Sequence, residues 1–86
     1  MKKYQAFGKA GVEAYEILDD GIIVKFRNSL IYYLYNYQKP GKRHVEEMKM
    51  LAEQGLGLST YISQQVKENY YAKLTAKSLK LFTLLF

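Results

Sequence analysis

Cysteine and tryptophan are absent from this 86-residue sequence, and proline and histidine occur once each. Without cysteine there are no disulfides and no thiolate metal sites. One histidine and no cysteine also exclude a structural zinc site, whose four ligands come mostly from those two residue types. The lack of cysteine is compatible with the cytosol. Long hydrophobic runs are missing too. The most apolar stretch, Leu79 to Phe86, is eight residues long and contains Lys80, far short of the ~20 residues that span a bilayer. Met1 to Gly8 is basic with no apolar centre, so no secretory signal is expected. There is no glycine-rich phosphate loop and no Ser or Cys nucleophile beside His44. Glu46 and Glu47, two and three residues beyond His44, mostly point elsewhere on a helix. The expectation is a cytoplasmic chain with no catalytic residues, cofactor, metal or membrane partner.

What is present fits one folded domain. Hydrophobic residues make up 49% and charged residues 24%. Lysine and arginine number 13 against 8 acids, for a net charge of +5, and nine tyrosines dominate the aromatics. A domain this small buries only ~60% of its unfolded surface. Self-association or a larger partner would therefore help it.

Residues 1–11 hold two glycines and three lysines and read as a flexible arm. Residues 12–74 read as the domain, and 75–86 as an apolar tail. Strand character begins at Val12. Asp20-Gly21 between two apolar runs is a hairpin signal. A two-residue turn there opposes Leu18 to Ile23, Ile17 to Val24, Glu16 to Lys25 and Tyr15 to Phe26. One face then collects Tyr15, Ile17, Val24 and Phe26, and the other carries a Glu16–Lys25 ion pair. After Asn28-Ser29, residues Leu30 to Tyr37 are aromatic and β-branched, a third strand of an antiparallel meander. Pro40-Gly41 ends it.

The period then lengthens to about 3.6. Val45, Met48, Leu51 and Ala52 share one face of a helix from His44 to Gln54, with Glu46 and Glu47 in its first turn and Gly55 as its C-terminal residue. Leu56 is expected to tuck inward between Gly55 and Gly57. Ser59 or Thr60 is placed to cap a second helix. Leu58, Ile62, Val66, Tyr70 and Leu74 form its stripe, so it should run to at least Lys73. The tail either extends that helix or forms a strand. The fold class is α+β: a three-stranded antiparallel meander, open to an added N- or C-terminal strand, followed by two helices on one face.

The segment Gly21 to Tyr71 resembles the KTSC domain, named for the C-terminus of some lysyl-tRNA synthetases and found also as small bacterial proteins. The similar features are the strand Ile23 to Asn28, Tyr33-Leu34-Tyr35 in the next strand (Tyr32 and Leu34 being the alternative pair), and Pro40-Gly41. They continue with Leu51-Ala52-Glu53-Gln54-Gly55, then Ile62, Val66 and Tyr70. The resemblance implies the same α+β order. RNA binding has been suggested for the family through its association with the synthetase.

Two surfaces are candidates. Between Ile22 and Val45 lie five cations (Lys25, Arg27, Lys39, Lys42 and Arg43) and no acid, while the flanks are close to neutral. Clustered cations bind phosphate through counterion release. Tyr33, Tyr35 and Tyr37 share the third strand and could stack bases. Register decides this. If Val24 opposes Tyr33, then Tyr33 and Tyr35 lie in the core. If Lys25 opposes Tyr33, they join the cations on the outer face. The expected function is a non-catalytic module for RNA or single-stranded nucleic acid. The alternative is a protein-interaction or assembly module using a sheet edge or Leu79, Leu81, Phe82, Leu84, Leu85 and Phe86.

Overall fold

A computed structural model describes residues 1–4 and 11–79. Five strands form one antiparallel sheet in chain order: β1 (Lys2–Lys3), β2 (Val12–Leu18), β3 (Gly21–Phe26), β4 (Tyr32–Asn36) and β5 (Ala72–Leu74). Helix α1 (Lys42–Gln54) follows β4. Helix α2 (Leu58–Tyr61) runs on into a wider π-helical stretch, Ile62–Val66. The α+β class and the meander followed by helices are as the sequence indicates. The sheet is extended at both edges.

The first hairpin departs from the expected register. Leu18 opposes Gly21, Ile17 opposes Ile22, and Tyr15 opposes Val24. The turn is therefore Asp19-Asp20, and neither residue has positive φ. Gly21 is needed for a different reason. A Cβ there would lie 2.7 Å from the Tyr35 carbonyl oxygen, so glycine lets β4 approach closely. The shift is two residues in pairing sum, which keeps every side chain on its expected face. It removes the Glu16–Lys25 pair. A bulge between Val12 and Ala14 leaves Glu13 as the extra residue, and Lys25 bonds to it at 2.6 Å.

In the next pairing Val24 opposes Tyr33, and Lys25 opposes Tyr32. Cross-strand rows then sort the sheet. Tyr15, Val24 and Tyr33 line the helical face beside Ile17, Ile22 and Tyr35. Ile23 and Leu34 point to the other face and are also buried, outside the main cluster.

The N-terminal arm is a correction for residues 2–4. Lys2 and Lys3 pair with Tyr15 and Ala14, and Tyr4 enters the core. The Tyr4 hydroxyl accepts from the Leu58 amide at 3.0 Å. It thereby satisfies a donor that the start of α2 would leave open. Ser59 does not cap its own helix. Its Oγ accepts from the Val12 amide at 3.1 Å and ties β2 to α2.

Helix α1 buries Val45, Met48 and Ala52 against the sheet, the expected face. It begins two residues earlier than expected, after Gly41 with φ 116°, so its first turn holds no acid. Glu46 and Glu47 sit one turn further in. Gly55 ends it in the left-handed conformation, its amide bonded to Ala52 and Leu51. Leu56 is 65% exposed rather than tucked in, because its amide follows the same reversal onto Leu51.

The second helix stops at Val66. Leu58, Ile62 and Val66 are its buried stripe. Lys67 then turns the chain with φ 47°, ψ −121°. The Tyr71 amide bonds to the Leu34 carbonyl, and Ala72–Leu74 pairs with β4. Open backbone groups on β4 outcompete helix extension. After β5, Thr75 caps a helical turn at 76–79, accepting from the Ser78 amide at 3.2 Å.

An aromatic and basic cleft as candidate functional site

The expected site residues divide between two ends of the sheet. Tyr37, Lys39, Lys42 and Arg43 lie beyond the end of β4, near the Asp19-Asp20 turn, where the Tyr37 amide bonds to Asp20. Lys25 and Arg27 lie at the other end of β3, about 20 Å away at ~3.3 Å per residue. A run that is continuous in sequence is therefore two separate patches.

Most of these side chains are already engaged. Lys25 holds Glu13, whose carboxyl is kept below its ordinary range by that hydrogen bond and charge. The Tyr37 hydroxyl donates to Glu46 at 2.7 Å, and Lys49 bonds Glu46 at 3.0 Å. The Lys42 and Lys49 ammonium groups each lie 5.7 Å from the Tyr37 ring centre. The bond to Glu46 raises the Tyr37 hydroxyl and lowers the Glu46 carboxyl. This cluster clips α1 to the exit of β4. Lys39, Lys42, Arg43 and Arg27 are exposed.

Of the two registers, the structure takes the one that places Tyr33 and Tyr35 on the helical face, not on the outer face beside Lys25 and Arg27. Tyr35 is 1% exposed in the core, and burial pushes its hydroxyl far above the usual tyrosine range. Tyr33 is half-buried on the same helical face, away from Lys25. The reason is area: a core this small draws on its aromatic rings. Of the expected interaction tail, Leu79 is half-buried at the end of its helical turn. Leu81, Phe82, Leu84, Leu85 and Phe86 lie outside the described residues. The sheet edges, β1 and β5, are two and three residues long, which offers little ladder for strand addition.

Sequence reasoning missed a different constellation. Where the π-helical stretch ends over the sheet, a cleft of about 220 Å³ opens. Its floor is Phe26, Tyr33, Tyr35 and Ile62, and its rim is Lys67, Glu68, Tyr70 and Lys73. The register builds it. The row Tyr15, Val24, Tyr33 continues to Lys73 on β5, placing an ammonium at the sheet edge beside the rings. Phe26 and Tyr33 meet edge to face at 5.5 Å, Tyr33 and Tyr70 at 5.0 Å, and Tyr35 and Tyr70 at 6.3 Å. None of these pairs is a parallel stack. Lys73 sits 5.7 Å from the Tyr70 ring centre. The neighbouring Tyr70, and after it Tyr33, hold its ammonium above the ordinary lysine range. Tyr33 and Tyr35 were expected as stacking or core residues, Phe26 on the apolar hairpin face, and Ile62 and Tyr70 on the helical stripe. Nothing in the sequence joined them, and Lys67 and Lys73 were not expected as site residues.

A second constellation joins the helices. His44 Nδ1 and the Tyr61 hydroxyl lie 2.8 Å apart, with the rings tilted at 5.9 Å. Burial and then Glu47 raise the Tyr61 hydroxyl above its ordinary range. Neither residue lines the cleft, and the pair holds α1 to α2. Among the described residues there is no cluster of His, Cys, Asp or Glu that could hold a metal. No helix there is long and apolar enough to cross a membrane.

Fold and site together define a small α+β domain with an aromatic and basic cleft at one end of its helical face. Comparison of the chain with protein-family models, with curated proteins and with solved structures gives no match.

Proposed function

We propose that this chain is a cytoplasmic, non-catalytic binding module for single-stranded nucleic acid, with RNA the first candidate. The carrying observation is the cleft, where aromatic rings without stacked partners stand beside two lysines. Bases stack on such rings whatever their identity, and lysines track the phosphates. The net charge of +5 supports the same partner. Lys25 and Arg27, expected as central contacts, flank the Phe26 end of β3. Lys39, Lys42 and Arg43 form a second, distant patch that a longer strand would reach. Membership of the KTSC group belongs to this proposal. Three strands, a helix, a glycine corner and a second helix in that order support it, with Tyr70 lying beyond the helix instead of on it.

The test is a titration of labelled single-stranded RNA followed by fluorescence anisotropy. Binding is expected at low salt and should weaken as salt rises. Lys67→Glu with Lys73→Glu should abolish it, and Lys42→Glu with Arg43→Glu should weaken it less. An absence of affinity at low salt, or affinity indifferent to both pairs, overturns the reading.

A further inference from the structure

Lys67 is the feature that structural roles leave unexplained. Its φ of 47° with ψ of −121° is a conformation that suits glycine, and a lysine there is strained. It follows directly on the π-helical stretch, whose closing bond runs from the Lys67 amide to the Ile62 carbonyl at 2.6 Å. Interruptions of this kind cluster at functional sites. The Lys67 side chain is exposed, and among the described residues its ammonium makes no hydrogen bond or ion pair. It does line the cleft. Strain kept without a side-chain hydrogen bond or ion pair among the described residues points to a use in binding.

The cleft itself limits what that use is. Clefts for drug-sized ligands run to ~300–1,000 Å³, and this one is about 220 Å³. It has room for a single ring system. Phe26, Tyr33 and Tyr70 meet at tilted angles, so a flat guest need not displace an existing parallel stack. Two ammonium groups against one carboxylate, Glu68, favour an anionic group at the rim.

We propose that the cleft is a one-nucleotide site, in which Phe26, Tyr33 and Tyr70 take an unpaired base and Lys67 and Lys73 hold its phosphate. The proposal rests on the nucleic-acid reading and narrows it to a nucleoside monophosphate group. That group comes either from a free mononucleotide or from one unstacked residue of a strand.

The experiment is an amide-resolved NMR titration of the whole chain with uridine monophosphate, with inorganic phosphate, and with single-stranded RNA. The same titrations are run on Lys67→Gly, and on Lys39→Ala as a control outside the cleft. Uridine monophosphate should shift the amides of Lys67, Tyr70 and Lys73. Lys67→Gly should raise Tm by about 4 °C through relief of strain. It should also weaken uridine monophosphate by about fivefold or more, the loss of a single charged contact. Lys39→Ala should leave both unchanged. Shifts that map elsewhere, inorganic phosphate binding as tightly, or Lys67→Gly binding like the parent each overturn the site. If RNA binds but Lys67→Gly is indifferent, the nucleic-acid reading stands and the one-nucleotide site falls. If uridine monophosphate binds in the cleft and RNA does not, the site stands and the strand reading falls.

Discussion

Tyr35 stands in the middle of the helical face, its ring edge to face with Tyr70 and its hydroxyl buried. Burial raises its pKa, so the folded state keeps the proton longer than the unfolded chain. The stability this provides is complete below the unfolded value near 10 and is lost as pH climbs toward the folded value. Unfolding is therefore favoured above about pH 10, with tyrosinate absorbance from Tyr35 appearing together with loss of circular dichroism. Tyr35→Phe should move that midpoint to higher pH. At Gly21 the constraint is steric. Gly21→Ala sets a Cβ against the Tyr35 carbonyl oxygen at 2.7 Å and Asn36 Cβ at 3.2 Å. It should cost about 2 kcal/mol in urea denaturation, as overpacking does.

At the scale of elements, α2 is tied to distant parts of the chain by side-chain hydrogen bonds. The Tyr4 hydroxyl meets the Leu58 amide, and Ser59 meets the Val12 amide. Helix α1 is docked by its buried stripe. Met48→Ala should cost about 2–4 kcal/mol because it opens a cavity beneath the helix. Met50→Ala, on the exposed side, should change stability by ~0.5 kcal/mol or less. Equilibrium unfolding of the two variants side by side checks the stripe. The end of α2 shows how far local pattern reaches. Leu58, Ile62 and Val66 keep the four-residue spacing on the helix, but Tyr70 and Leu74 carry that spacing into a turn and a strand.

For the whole molecule, the charge distribution matters more than the net charge. The basic run from Lys25 to Arg43 is split between opposite ends of the sheet, with Lys25 neutralised by Glu13 and Lys42 held over the Tyr37 ring. The cleft adds Lys67 and Lys73 at the Phe26 end. If those two lysines each neutralise one phosphate, the logarithm of RNA affinity should fall with the logarithm of salt at a slope of about −1.4. A steeper slope in the parent, reduced by Lys42→Glu with Arg43→Glu, would show a longer strand spanning both ends.

The sequence by itself determined the α+β class, the order of the three central strands and the helices after them, the buried stripe of α1 and the glycine that closes it. These follow from periodicity and from residues with narrow backbone preferences. It also determined which side chains of β2 and β3 share a face, since a slip of two leaves the pleat unchanged. Only the tertiary structure decided that Gly21 serves a close approach instead of a turn, because that depends on where β4 lies. It also decided that Tyr33 and Tyr35 face the helices, because one register buries them and the other does not. It ended α2 at Lys67, where pairing to the open edge of β4 replaced further helix. The cleft could not be read from the chain, since Phe26, Tyr33, Lys67 and Lys73 meet only through the pairing of three strands and the arrest of one helix.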